Sequence, residues 1–131
     1  MKKNLLLCLF AVVFLISSVF AMGDKPAKTM DANLDINAGV PTVIKIGAEW
    51  CPPCRQVKAM LKQVEKELKV GGIQLTDVDI DKYPEIAKKY KVSLIPTILF
   101  FDKNGKQVFK QVGPMDKEAF LNKLRELGML E

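Results

Sequence analysis

The sequence predicts an α/β fold of three layers, in which a central mixed sheet of about four strands is flanked by helices. Short β-branched segments alternate with helical segments in the first half of the chain, which indicates parallel strands joined by a right-handed crossover. In the second half, an Asn-Gly step between two apolar segments predicts an antiparallel hairpin. A length of 131 residues is sufficient for one domain.

The first half is predicted to form a strand, a helix, a second strand and a short helix. Gly71 and Gly72 end the first helix, whose apolar residues recur at helical spacing. These apolar residues are Val57, Leu61, Val64 and Leu68. The four predicted elements cover residues 41–48, 52–68, 73–80 and 84–90.

The second half is predicted to form two strands and a closing helix. The strands are Thr97–Phe101 and Gln107–Val112, joined by the turn that contains Asn104 and Gly105. Asp116 is placed to cap a final helix that extends to residue 127.

The N-terminal residues follow the order of a secretory signal. Lys2 and Lys3 form a basic start, an apolar run covers residues 5–20, and Ala21 supplies a small residue after which we expect cleavage. An uncleaved membrane anchor at 5–20 is the alternative, although the run is slightly short for a transmembrane helix. We therefore expect an exported protein that is periplasmic or secreted, or one that is held at the membrane through residues 5–20. The predicted organisation is a signal peptide at 1–21, a flexible leader at 22–38 and a folded domain at 39–131.

Charge and cysteine content restrict the function further. The formal net charge of +5 falls to +3 when Lys2 and Lys3 leave with the signal, and lysines and acids are interleaved along the chain. This pattern describes a solvated surface, so we expect no nucleic-acid partner. Of three cysteines, Cys8 lies in the signal, which leaves Cys51 and Cys54. A bridge over so short a loop restricts the unfolded chain little, so redox chemistry explains the pair better than stabilisation does.

Cys51 and Cys54 lie where the first strand meets the first helix. The free N–H groups and the positive dipole end of a helix start favour thiolate over thiol. Cys51, at the exposed end, is assigned the attack on substrate, and Cys54 the resolution of the mixed disulfide. Pro52 and Pro53 have no N–H, so the Cys54 N–H is the expected donor to the Cys51 sulfur, and the thiolate should be stabilised only modestly.

Other roles for the cysteine pair find less support. A closed zinc site needs four ligands, and the chain has no histidine to add to the two thiols. Haem attachment would need a histidine after Cys54, where Arg55 stands. A disulfide without turnover and a copper-carrying site of two soft sulfurs remain alternatives. We expect no cofactor and no metal.

Around these residues the chain resembles the thioredoxin family over about residues 40–127. Residues 49–54 (Glu-Trp-Cys-Pro-Pro-Cys) resemble its active-site segment, Ile95-Pro96-Thr97 its cis-proline loop, 102–106 its hairpin turn and Gly113 a glycine before its last helix. The resemblance implies a thioredoxin-like fold and a Cys51–Cys54 disulfide. It also implies that Pro96 is cis and packs beside that disulfide, and that the Ile95 backbone pairs with an extended substrate. Trp50 is expected to line the same surface.

The chain departs from the family at several positions. The dipeptide between the cysteines is Pro-Pro rather than Gly-Pro, and the segment before the first strand is short. The family's buried acid is replaced by Lys45, and its partner lysine by Asp77, so the pair looks charge-swapped. The apolar neighbours of Lys45 favour a buried strand over a surface lysine. Asp77 should then keep Lys45 protonated, and the ammonium should stabilise the Cys54 thiolate.

Together these patterns predict a thiol–disulfide oxidoreductase that acts on protein disulfides in an extracytoplasmic compartment. The missing histidine between the cysteines and Ile95 before the cis-proline resemble the reducing branch, so we expect a reductase supplied by a membrane-embedded electron donor. Its partners should be proteins with disulfides or thiols, and the chain should be a monomer. The alternative is a thioredoxin-like binding module or a copper carrier whose cysteines do not cycle.

Overall fold

The computed structural model describes Leu34, Ile36 and residues 39–131. The predicted signal and all of the predicted leader except Leu34 and Ile36 lie outside the described residues. Within the described part, no helix is both long and apolar enough to cross a membrane. The strands are β1 (Thr42–Gly47), β2 (Gln74–Asp79), β3 (Thr97–Phe101) and β4 (Gln107–Val112). The helices are α1 (Pro52–Val70), α2 (Pro84–Lys89) and α3 (Lys117–Glu126).

The four strands form one mixed sheet, as predicted, and their order in the sheet is β2-β1-β3-β4. β1 pairs with β2 in parallel, and β3 pairs antiparallel with both β1 and β4. In the β3–β4 turn, Asp102 Oδ1 accepts hydrogen bonds from the N–H groups of Asn104 and Lys106 at 2.8 and 3.0 Å. Gly105 completes the turn with φ +74°, a conformation that glycine adopts without steric cost.

The predicted ends differ from the observed ones by one or two residues outside the hairpin strands. α1 continues to Val70 instead of stopping at Leu68, because Lys69 and Val70 add an exposed half-turn before the Gly71 N–H bonds to Glu67 O. α2 ends at Lys89 because Lys91 adopts a left-handed φ of 49°.

Side chains alternate along β1 and so divide the core between the two faces of the sheet. Val43 belongs to a cluster under α1 and α3, whereas Ile44 and Ile46 belong to a cluster on the α2 side. The first cluster also contains Val57, Leu61, Val64, Leu68, Ile98, Phe100, Phe120 and Leu124. The second also contains Leu34, Val78, Ile86, Leu99 and Phe101. The same alternation places Lys45 and Gly47 on the α1 face.

Two valines of α1 form a matched pair for testing the first cluster. Val64 is fully buried, and Val70 is 91% exposed. We expect Val64→Ala to lower the free energy of unfolding by about 2 kcal/mol, because buried methyl groups are lost and a cavity remains. Val70→Ala should change it by less than about 0.5 kcal/mol. Urea denaturation of the two variants measures both values, and equal losses would contradict this placement of α1.

Candidate active site

The cysteine pair lies at the start of α1, four residues after β1 ends at Gly47. Cys51 is the N-cap residue, and Pro52 and Pro53 occupy the first two helical positions. Cys51 and Cys54 form a disulfide. The Cys54 N–H donates to Cys51 Sγ at an N···S distance of 3.3 Å. This is the donor that the two prolines leave available, because neither of them has an N–H.

Both cysteines are buried in this oxidised state, which corrects the expectation of an exposed attacking sulfur. Cys51 is 4% exposed and Cys54 is 0% exposed. Cys51 is therefore the more exposed cysteine, as expected, but it is much more buried than expected. Both pack with Ala48, and the partly buried Ile80 and Ile95 contact this group. The sequence could not predict this burial of the cysteines, because Ile80 and Ile95 reach the disulfide from distant segments of the chain.

The loop before β3 forms a second wall of the site. The Ile95–Pro96 peptide bond is cis, and Pro96 is buried. Thr97 Oγ1 donates to Leu94 O at 2.6 Å, and the Gly113 N–H donates to Pro96 O at 2.8 Å. These bonds hold the loop on both sides of the proline.

Lys110 on β4 holds the start of the connection between α2 and β3, next to the end of α2. Its Nζ donates to the backbone carbonyls of Tyr90 and Lys91 at 3.2 and 2.8 Å. A cation is favourable at this end of a helix, where carbonyl groups lack intrahelical partners. The connection from α2 to β3 is therefore held at its start as well as at its proline.

Trp50 borders the disulfide on the protein surface. Its side chain is 63% exposed, and its Nε1 donates to Asp81 Oδ2 at 2.8 Å. Asp79 Oδ1 accepts from the Asp81 N–H at 3.0 Å, which fixes the turn after β2. The indole is thus held by one edge while most of it stays open to solvent. The sequence does not predict a role for Asp81, because only the pairing of β1 with β2 brings it close to Trp50.

Lys45 lies on the same face of β1 as Gly47, next to the turn that bears Cys54. Its side chain is 4% exposed, and its Nζ donates to Asp77 Oδ1 at 2.8 Å. Asp77 is 37% exposed on β2, so the pair is half-buried, not enclosed on both sides. A Cβ atom on Gly47 would lie 3.0 Å from Cys54 Sγ and 3.0 Å from Lys45 Cε. Glycine at this position therefore permits the lysine stem and the sulfur to approach each other.

Lys58 and Glu49 continue this charge pair towards the solvent, and neither was predicted. Lys58 Nζ donates to Glu49 Oε1 and lies 3.4 Å from Asp77 Oδ2. The hydrogen bond from Lys58 lowers the pKa of Glu49 below its ordinary value. The hydrogen bond to Glu49, with the charge of Asp77, raises the pKa of Lys58. Because these side chains are largely solvated, the ion pairs contribute little to stability.

The arrangement is suited to disulfide exchange. One sulfur lies at the edge of the site beside the exposed Trp50, and the second lies behind it within bonding distance. Among the residues that the structure describes, no three acidic or sulfur side chains come together to hold a metal ion.

The chain is similar to thioredoxins in sequence and in structure. The thioredoxin family model matches residues 27–126. A thioredoxin of Rickettsia felis is 33% identical over 87 residues, which are 66% of this chain and 81% of that protein. The mitochondrial thioredoxin of Bos taurus is 39% identical over 92 residues, 68% of this chain and 54% of that protein.

Solved structures agree with this match. Oxidised mitochondrial thioredoxin 3 of Saccharomyces cerevisiae aligns with a TM-score of 0.61 at 25% identity, covering 70% of this chain and 82% of that one. Chloroplastic thioredoxin z shares the fold, with a TM-score of 0.62 at 20% identity over 69% of this chain and 80% of that one. The matched region contains both cysteines and the loop at Pro96. The chain belongs to the thioredoxin family, and its Cys51–Cys54 pair makes it a thiol–disulfide oxidoreductase.

Proposed function

We propose that the chain is an exported, monomeric reductase of protein disulfides. The direction rests on the surroundings of the Cys51 sulfur. Within the described residues it accepts one hydrogen bond, from the Cys54 N–H, and Pro52 and Pro53 have none to add. The chain also has no histidine that could stabilise a thiolate. A reduced form with so little added stabilisation belongs to the reducing end of the scale, since strong oxidants owe their potential to a stabilised reduced form.

Reduction of a substrate proceeds in two exchanges. The Cys51 thiolate attacks one sulfur of the substrate disulfide and bonds to it, while the other substrate sulfur leaves and takes a proton from water. Cys54 then loses its proton and attacks Cys51 Sγ. The Cys51–Cys54 bond forms, and the second substrate sulfur leaves and is protonated. Two electrons pass from the enzyme to the substrate, and the enzyme is left in the oxidised state of the structure.

The surface beside Cys51 fits an extended segment of a substrate protein. The Trp50 ring is exposed but fixed by Asp81, and Leu94 is 65% exposed next to Ile95. Ile95 makes no backbone–backbone hydrogen bond to another described residue. Its N–H and C=O are therefore open to pairing with a substrate backbone, while the neighbouring apolar groups contact substrate side chains.

Export is supported by the N-terminal pattern, with its basic start, apolar run and Ala21. In an exported location disulfides persist, so a reductase has to be re-reduced continually. We propose that a membrane-embedded dithiol protein passes electrons to the Cys51–Cys54 disulfide by the reverse of the exchanges above.

A matched pair of proline variants tests the direction and its cause. The second helical position, occupied by Pro53, is one whose N–H can bond to an N-cap side chain, whereas the first, occupied by Pro52, is not. We expect a potential nearer −270 than −120 mV for the unchanged protein. Pro53→Ala should raise it by about 10–30 mV, the equivalent of one hydrogen bond to the reduced state. Pro52→Ala should raise it less. Equilibration with glutathione gives all three values, and an oxidising value for the unchanged protein would contradict the reductase proposal.

The two cysteines should differ in reactivity after reduction. Cys51 is at the helix start and is the less covered sulfur, so limited alkylation should label it before Cys54. Peptide mass spectrometry identifies the labelled residue. As a control, Cys54→Ser should keep the labelling of Cys51 and should accumulate a mixed disulfide with insulin. Preferential labelling of Cys54 would reverse the assigned roles.

The N-terminus of the protein in its native host tests export. We expect the chain to begin at Met22, because the signal pattern ends at Ala21. Intact-mass measurement reports the processed form. Ala21→Phe should block cleavage because the signal peptidase requires a small residue there, whereas Ala27→Phe should leave it unchanged. Recovery of the full chain from the cytoplasm would exclude export.

A further inference from the structure

We infer that Lys45 is a positioning residue for the resolving step, in which its buried ammonium group stabilises the thiolate of Cys54. The inference rests on the proposed exchange for its use, but its physical basis is a contact between β1 and α1. Neither the disulfide nor the substrate surface requires a charged residue at this place in the core. The presence of one, in a salt bridge with Asp77, therefore needs an explanation.

The distance between the lysine and the sulfur follows from the geometry at Gly47. Lys45 Cε and Cys54 Sγ each lie 3.0 Å from the position that a Gly47 Cβ would occupy, so the two atoms are at most 6.0 Å apart. The positive charge is on Nζ, one bond of about 1.5 Å beyond Cε, so it lies within about 7.5 Å of the sulfur. An opposite charge at about 4–6 Å moves a titration by 1–3 pH units, and the effect declines gradually with distance. The ammonium group is therefore close enough to act on the thiolate through space, without a direct hydrogen bond.

Other charges share this region, and their exposure determines which of them dominates. A polar cavity of about 260 Å³ is lined by Lys45, Glu49, Lys58, Asp77, Asp79 and Lys82, with Tyr83 beside them. The three lysines and the three acids cancel in number. However, Asp79 is 18% exposed, Asp77 37% and Glu49 63%, whereas Lys45 is 4% exposed. Water weakens the field of the exposed groups more than that of the buried ammonium, so the potential at Cys54 should be positive.

Asp77 has a different role in this arrangement. An isolated buried ammonium would be destabilising, and the 2.8 Å salt bridge to Asp77 offsets part of its desolvation penalty. The same carboxylate lies 3.4 Å from Lys58, so it keeps a cationic neighbour if Lys45 is removed. For this reason a neutral residue at position 45 should leave the fold intact, which makes the inference testable by substitution.

The charge acts on the second exchange. When Cys51 is bonded to a substrate sulfur, Cys54 must lose its proton to solvent before it attacks Cys51 Sγ. A more stable thiolate is more abundant but also less nucleophilic, with a Brønsted coefficient of about 0.4–0.5. A tenfold loss of thiolate should therefore slow the step by about threefold below its pH midpoint.

The titration of Cys54 alone tests the inference. In the full chain with Cys8→Ser and Cys51→Ser, Cys54 is the remaining thiol, and ultraviolet absorbance reports its thiolate as the pH rises. Adding Lys45→Met should raise the midpoint by about one pH unit. Lys45→Arg should keep the midpoint near its original value because the charge is retained. Lys45→Gln provides a second neutral variant if the Met variant does not fold.

Lys69→Met is the matched control for a lost lysine. Lys69 is 71% exposed at the far end of α1 and pairs with Glu65, so its removal should leave the midpoint unchanged. Equal midpoints for the parent, Lys45→Met and Lys45→Gln would overturn the inference, as would an equal shift from Lys69→Met. The titration involves no substrate and no electron donor. A failed reductase proposal would therefore leave this result intact, and a negative titration would leave the direction of exchange unaffected.

Discussion

The close approach of the first turn of α1 to Gly47 is the contact on which the rest of the site depends. A larger residue at that position would place its Cβ 3.0 Å from Cys54 Sγ, so the sulfur would have to move by a few tenths of an ångström. β1 is an inner strand that pairs with β2 on one side and β3 on the other. Through it, the sulfur acquires a fixed relation to Asp77 on β2 and to the loop before β3. The position of the disulfide is thus set by a central strand of the sheet and not by a surface loop.

Most of the fold could be predicted from local patterns, because those patterns reflect forces that act over a few residues. The two hairpin strands were predicted to the residue, since an Asn-Gly turn constrains the register of both strands at once. The end of α1 was predicted less well. Periodicity reports the buried stripe, which stops at Leu68, whereas the helix itself continues through exposed Lys69 and Val70. The N-terminal segments lie outside the described residues, and their assignment stays a prediction.

The site, like the fold, has parts that the sequence predicts and parts that it does not. Cys51 and Cys54 follow from their spacing and place at a helix start, and Lys45 faces Asp77 because parallel pairing puts them in register. The bond between Trp50 and Asp81 could not be derived, because it joins turns at two strand ends through particular rotamers. The cover over Cys51 likewise comes from Ile95 and Ile80, which are remote in sequence. The part of the site that could not be predicted therefore consists of contacts between single side chains that are remote in sequence.

The hydrogen bonds that hold the connection between α2 and β3 have a consequence for the kind of substrate protein that can bind beside it. Lys110 holds its start, and the Thr97 and Gly113 bonds hold its proline. A binding edge that is already ordered loses little conformational entropy when a ligand docks, so the ordering cost is borne by the ligand. A loosely folded segment can straighten along such an edge, whereas a disulfide inside a tightly folded domain would first have to be released by local unfolding. Under the proposed function, an ordered connection of this kind would favour substrates that are loosely folded around their disulfide.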